Sequence, residues 1–530
     1  MTFAQFCERF PKYVLEAPSW PLKKQASSIS KDWVKKLDLT HVELLYIFGL
    51  GDGSIYSHLR EWLHEKSNRR IVFFEEDPTV VAALLDTGTI LFSDLQVDFE
   101  LLVSDTIDRF AIKYPVNRVE VICLPEKNDF RFRKNRLILL RKTALSNALF
   151  VDRLFGYRLF DNFRKNVPRL QGAFYANGLK DAFSEMPVIV CGAGPSLQEA
   201  IPLLRNLEGR ALVIAGGSAI AALSAQGIEP HFGIAVDPNK EEYHRFCNSF
   251  FFEGPLLLST RVFPGIFGTC NGPFGYLRSE TGGASELWFE KEIGLTDPLL
   301  TNHMPEESTC VITLALAFAV HIGAKTITLA GMDLAYTGGK RYAEGVCSDN
   351  AKQAHLSLQG LDLPLRRKGK TGKSLSTALR WVMESAAIEK FAKKHPGVRW
   401  INATKEGLSI KGFQECSLEA AYALYMNKSF DIRGKIAKEI ALHPMPTIPH
   451  DLLQKLDDSL LRTIDHLTIL ANQKTGSKAL AQLELEEELA VQVLFSDMPW
   501  ILEQAERLNL SNLGFALYLE IAQRYSGLTH

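Results

Sequence analysis

The sequence has no closely spaced cysteine pair. Its eight cysteines, Cys7, Cys123, Cys191, Cys247, Cys270, Cys310, Cys347 and Cys416, are scattered, and none belongs to a C-x-x-C. That argues against a zinc ribbon or a disulfide framework and points to free thiols in a reducing cytoplasm. An excess of one charge is missing as well. Sixty basic residues face 61 acidic ones, leaving a net charge of −1. No global field draws the chain to nucleic acid or to an acidic membrane surface. An unbroken apolar run of membrane-spanning length is also lacking. CVITLALAFAVHIGAKTITLAG, 310–331, comes nearest, but His321, Gly323 and Lys325 interrupt it. It reads as a buried helix followed by a buried strand, not as a membrane span. The start, MTFAQFCERFPKYVLEA, lacks the apolar core of a signal peptide. No long repeat and no low-complexity segment is found.

What is present fits a soluble globular protein, with 46% hydrophobic and 23% charged residues. At 530 residues the chain is too long for one core. Its patterning divides into three regions: 1–165, 166–425 and 426–530. The first is a smaller Rossmann-like α/β domain. HVELLYIFGLGDGSIYSHLREWL gives a strand, a turn carrying Gly49, Gly51 and Gly53, and a helix; RRIVFFEEDP gives a second strand ending at Glu75, Glu76 and Asp77. A glycine turn followed by acids at the next strand end is common in nucleotide-binding folds, though such glycines equally serve just to turn the chain. The basic stretch 130–170 alternates cations with apolar residues at helical spacing, as a solvated helix face does.

The central region repeats strand, loop and helix. PVIVC leads to GAGPS, RALVIA to GGS, HFGIAV to DPN, and KTITLAG to MDLA, with GPLLLST and VRWINAT as further strands. Strands this apolar are covered on both faces, as in a Rossmann-like parallel sheet. Ligands in such sheets lie beyond the carboxyl ends of the strands. Gly192, Ala193, Gly194, Pro195, Ser196, Gly217, Ser218, Asp237, Asp333, Asn402 and Thr404 fall at those ends, and Ser308 and Thr309 precede the long helix. Glycines let backbone N–H groups approach an anion, and a helix start favours phosphate. Each residue also has a plain structural role as a cap or turn former. KGKTGKS, 368–374, has the wrong glycine spacing for a Walker loop and is taken as a flexible basic loop with no preceding strand. Residues 426–530 lack strand signals; HPMPTIPHD, 443–451, reads as a proline-punctuated linker and the rest as amphipathic helices for packing or oligomer contacts.

The stretches VIVCGAGPSL, AGGSAIAALSAQGIEPHFGIAVDPN, GAKTITLAGMDLAYTGGKRYAEG and INATKEGLSIKG resemble the motifs of the motility accessory factor (Maf) family. That family shares its central domain with archaeal 6-hydroxymethylpterin diphosphokinase (MptE-like) proteins. The likeness covers residues 186–413, and the three-part layout is similar too. More distantly, the loop is similar to the G-N-G-P-S-L loop of bacterial sialyltransferases. At the asparagine of that loop this chain has Ala193; Ser218 falls near a second asparagine and Asp237 stands for a third, while Ser308 and Thr309 lie near a donor-contacting Thr-Ser pair. The sialyltransferase base histidine would fall within KGKTGKS; His355 is the nearest histidine.

The resemblance implies a cytoplasmic nucleotide-dependent transferase. It would move a nonulosonic, sialic-like sugar from a CMP-activated donor to a protein or glycan hydroxyl, flagellin-like by family. The nucleotide would lie against Gly192–Ser196, Gly217, Ser218, Ser308 and Thr309, with Asp237, Asp333 and His355 as catalytic candidates. In the alternative branch, diphosphate would move from ATP to a pterin alcohol, and Asp237 and Asp333 would hold magnesium. A further alternative is a non-catalytic nucleotide-binding or scaffold protein, in keeping with Ala193 and the unmatched histidine.

Overall fold

Short apolar runs between glycine turns become parallel strands here because their backbones, buried on both faces, can satisfy N–H and C=O groups only through neighbouring strands. The computed structural model describes residues 29–75, 89–92, 110, 114–125, 128–279, 281–305, 308, 310–346, 364–472, 478–507 and 510–527. It divides into two units: residues 1–153 with 353–363, and residues 154–352 with 364–530.

In the first unit, β1 (Leu44–Phe48), β2 (Arg70–Glu75), β3 (Thr89–Phe92) and β4 (Val119–Cys123) form a parallel sheet in the order β3-β2-β1-β4. The chain leaves β1 through Gly49, Gly51 and Gly53, at φ 90°, 58° and 83°. Gly53 then precedes helix α1 (Ser54–Glu65) in the left-handed region, where a side chain would be strained. Glu75 closes β2, while Glu76 and Asp77 lie outside the described residues. The basic stretch begins with α2 (Phe130–Leu154), whose Arg136 reaches Glu120 at 3.3 Å.

The second unit opens with α3 (Gly156–Asn166) and holds a nine-stranded parallel sheet. Its strands are β5 (Phe174–Tyr175), β6 (Val188–Cys191), β7 (Leu212–Gly216), β8 (Phe232–Ala235), β9 (Leu256–Leu258), β10 (Phe274–Tyr276), β11 (Thr326–Ala330), and two that follow the basic motif's hairpin, β14 (Arg399–Asn402) and β15 (Gln414–Glu415). The hairpin itself is β12 (Pro364–Lys368) paired antiparallel with β13 (Ser374–Ala378). The sheet order is β15-β14-β11-β6-β7-β8-β9-β10-β5. The winding direction reverses between β6 and β11, which makes that pair the topological switch point.

Helices α4 (Leu197–Arg205), α5 (Ser218–Ser224), α6 (Lys240–Cys247), α7 (Ala284–Glu292), α8 (Val311–His321) and α9 (Leu379–Lys394) connect the strands. Alternation along β6 sends Ile189 and Cys191 into one core and Val188 and Val190 into another. The second core is filled by α8 through Leu314, Leu316 and Phe318. The first contains Leu204 and Leu223 together with Leu452, Leu456, Leu460 and Leu467 of α10 (Leu452–Asn472).

The tail expected at 426–530 therefore shares its core with the sheet, because the apolar stripe of α10 is buried in that core. The expected linker 443–451 is also docked. Tyr175 N–H donates to His443 O at 2.7 Å and Met445 N–H to Ala173 O at 3.0 Å, which seals the edge of β5. The expected flexible loop 368–374 is the turn of the β12–β13 hairpin, with Gly369 N–H donating to Lys373 O at 2.8 Å. A strand does precede it, but a second strand follows where a P-loop needs a helix. No helix among the described residues is long and apolar enough to cross a membrane.

Two asparagines of α3 hold the strand-end loops. Asn162 Nδ2 donates to Pro238 O at 3.1 Å and Arg261 O at 3.0 Å. Asn166 Nδ2 donates to Thr260 O at 2.9 Å and Val262 O at 2.7 Å. Asn166→Ala leaves two buried carbonyls unpaired and should lower the unfolding free energy by about 2–4 kcal/mol. A denaturant midpoint equal to that of the unaltered protein would contradict this account.

Candidate functional site

The first loop after β6 is stitched to the loop after β11. Gly192 N–H donates to Ala330 O and Gly194 N–H to Gly331 O, both at 2.8 Å. The approach is so close that a Cβ on Gly194 would lie 2.3 Å from Asp333 Oδ1. Ser196 flanks α4, and its N–H points at both Asp333 oxygens at 3.2 Å while its hydroxyl donates to Oδ2 at 2.7 Å. Asp333 is 1% exposed. Burial raises its pKa, and the Ser196 hydrogen bonds oppose that rise.

The helix start that the sequence offered to a phosphate thus holds the protein's own carboxylate, which satisfies a helix-terminal N–H and meets the positive end of the dipole. Neighbouring segments close over it. Glu406 N–H donates to Ser196 Oγ at 3.3 Å, Leu408 N–H to Asp333 O at 2.9 Å, and Ala343 N–H to Ala193 O at 2.8 Å. Thr404 and Asn402 belong to the same wall. Met332 N–H donates to Thr404 Oγ1 at 2.9 Å, and Asn402 Nδ2 to Glu415 Oε1 at 2.9 Å. Pro195 lies between Gly194 and Ser196 in this closed turn.

The pattern recurs along the edge. Glu242, 3% exposed, takes the Asp237 N–H on Oε2 at 2.7 Å. Burial, and then the neighbouring Asp237, push its pKa well above the usual carboxylate range. Glu286, fully buried, accepts from Thr260 N–H at 2.7 Å, Thr260 Oγ1 at 2.8 Å and Gly282 N–H at 2.6 Å. Both glutamates occupy the third position of their helices, α6 and α7. From there a glutamate reaches back to N–H groups before the helix. That position was the available signal for two residues the motif reading overlooked.

Next to the closed crevice lies a second group. Gly217 and Ser218 follow β7, with Gly217 N–H donating to Ile234 O at 3.2 Å and a Cβ on Gly217 falling 3.2 Å from Glu242 Oε1. Asp237 Oδ1 accepts from Asn239 N–H at 3.0 Å and Asn239 Nδ2 at 2.7 Å. The start of α8 packs on the same loop: Val311 Cγ1 would lie 2.6 Å from a Cβ on Gly216. Just before it, the Ser308 hydroxyl is buried and makes no hydrogen bond. A polar atom in that state costs about 1–3 kcal/mol, which a polar ligand atom would recover. Gly217, Ser218 and Asp237 therefore border one part of the edge, with Ser308 three residues ahead of Val311, and Gly194, Ser196 and Asp333 border the other. Thr309 and His355 lie outside the described residues.

Residues 161–339 match the family described as 6-hydroxymethylpterin diphosphokinase MptE-like. Over that segment the chain is similar to MptE-like proteins. Among solved structures, a Maf glycosyltransferase from Magnetospirillum magneticum AMB-1 is similar over 98% of this chain and 82% of its own, with 14% identity and a TM-score of 0.47. No curated protein matches. The MptE-like segment runs from α3 through β11 to the turn after Asp333, and so includes every residue of the two groups.

Ser196→Ala removes two bonds of this edge, that from its hydroxyl to Asp333 and that from Glu406, and should cost about 1–3 kcal/mol of stability by chemical denaturation. An unchanged midpoint would show the crevice held by other contacts. A pH effect arises at the end of β10. Glu290 is fully buried, accepts from Tyr276 Oη at 2.7 Å and lies 3.1 Å from Arg278 Nε. Burial raises its pKa from 4.5 to about 7. A raised acid is more protonated in the folded than in the unfolded state, so its contribution falls as pH rises from 4.5 to 7 and levels off above. Glu290→Gln should flatten that decline, read as unfolding free energy against pH; an unaltered slope would contradict this assignment.

Proposed function

We propose that the chain is a nucleotide-dependent transferase, and that it moves a nonulosonic sugar from a CMP-activated donor to a protein or glycan hydroxyl. The observation that carries this reading is the buried, unbonded Ser308 hydroxyl three residues ahead of α8, whose first residue, Val311, packs against Gly216, all within the segment that matches the MptE-like family. A nucleotide phosphate or ribose oxygen placed there gains the Ser308 donor, the Ser218 hydroxyl and the positive end of α8. The MptE-like match supports a transferase working on a phosphate-bearing substrate. The resemblance of the strand-end motifs supports the CMP-sugar donor.

In the transfer, the acceptor oxygen bonds to the anomeric carbon as the bond from that carbon to the CMP phosphate oxygen breaks. The electron pair leaves with CMP, and the acceptor proton passes to a base. Asp237 is the described carboxylate best suited to take it, since it is partly exposed and Asn239 fixes its orientation through Oδ1. Asp333 acts as a positioning residue that holds the Ser196 turn.

Diphosphate transfer from ATP is the weaker reading because its magnesium does not fit these aspartates. Both Asp333 oxygens already accept from Ser196, and Asp237 Oδ1 accepts twice from Asn239. A magnesium site needs several oxygen ligands with lone pairs to give.

Calorimetric titration with CMP, and separately with ATP plus magnesium, tests the proposal. CMP should bind without metal, and Ser308→Ala should weaken it by roughly tenfold or more, the worth of one hydrogen bond to a charged group. Binding of magnesium-ATP alone would overturn the reading.

A further inference from the structure

The basic motif at 368–374 has no part in the sheet-edge chemistry, yet its placement is specific. The hairpin segment 364–378, PLRRKGKTGKSLSTA, carries five cations and no acid in a chain of net charge −1. One cation is committed to the fold. Lys370 Nζ bonds to Thr404 O and to Glu415 at 2.7 Å, and Lys370 N–H donates to Gly407 O at 3.0 Å. These contacts fix the turn against the wall of the candidate site.

The hairpin's two faces differ. Leu375 packs inward, 2.5 Å from where a Cβ on Gly369 would lie, and Thr377 Oγ1 donates to Leu334 O at 2.6 Å. The register pairs Arg366 with Ser376 and Lys368 with Ser374. Period-two alternation puts these four on the other face, and all four are exposed. The second strand is joined to the site loop, since Tyr336 N–H, three residues beyond Asp333, donates to Ser376 O at 2.9 Å.

We propose that this outward face binds an acidic, extended segment of the acceptor polypeptide. Arg366 and Lys368 are two residues apart on a strand, so their stems are spaced by roughly 7 Å. Acids at alternate positions of an extended peptide repeat at the same spacing, whereas the oxygens of one small anion are much closer together. Ser374 and Ser376 lie directly across from the two cations, where their hydroxyls can bond a carboxylate held by either. That the peptide is an acceptor rests on the transferase reading; that it is acidic and bound here does not.

The test is a titration of the full-length protein with a peptide alternating Asp and Ser, its Asn-Ser counterpart, and inorganic polyphosphate. The acidic peptide should bind, weaken as salt rises from about 50 to about 500 mM, and exceed the Asn-Ser peptide throughout. Arg366→Glu combined with Lys368→Glu should weaken it by about tenfold or more, with Arg366→Gln and Lys368→Gln intermediate. CMP binding should be unchanged in both variants, so loss of the peptide and loss of the nucleotide are separate results. Equal peptide affinity in the charge-reversed and unaltered proteins would overturn the proposal. So would tight polyphosphate binding without peptide binding, which would mark a phosphate-polymer surface.

Discussion

The edge of this sheet depends on pairing strand-end amides with buried carboxylates. Asp333 takes the N–H of Ser196, Glu242 that of Asp237, and Glu286 that of Thr260. Each acid is removed from water, and burial pushes each pKa upward. Such groups are tolerated only where hydrogen bonds replace the lost solvation. The loops are therefore held by interactions that are costly to break singly. The close stitching of the loops at the switch point follows from that one constraint.

The division of labour along the edge follows. In an open α/β sheet the switch point is the usual place for a ligand. Here Asp333 fills the reversal between β6 and β11, and the segments around Ala343 and Glu406 close over it. One loop along, Gly216 is packed so closely by Val311 that no side chain fits. Three residues ahead of Val311, the Ser308 hydroxyl is left without a bond.

Much of this was legible in the sequence, for a physical reason in each case. The apolar runs at β6, β7, β8 and β11 are long enough to show burial, and the glycines after them mark the turns. The parallel sheet and the place of Gly192 to Ser196, Gly217, Ser218, Asp237 and Asp333 at its carboxyl edge follow from that pattern. Strands β5 and β10, with two and three residues, are too short to leave a periodic signal. The hairpin was hidden because a polar, cationic strand looks like a loop. Glu242 and Glu286 were hidden because an acid in a first helical turn is ordinarily a surface group favoured by the dipole. Nothing local announces that it will be buried. That Asp333 turns back on Ser196, 137 residues earlier, is a tertiary fact that no local pattern encodes.

The seal on β5 has a consequence for how the chain is made. The outermost strand of the large sheet is closed by His443 and Met445, about 270 residues after Phe174 leaves the ribosome. Synthesis proceeds at roughly 5–20 residues per second, so the unsealed strand is on offer to other chains for some tens of seconds. Until the segment after α9 and β15 has emerged, that edge carries unpaired backbone groups of the kind that pair with other strands. The finished molecule shows no trace of that exposure.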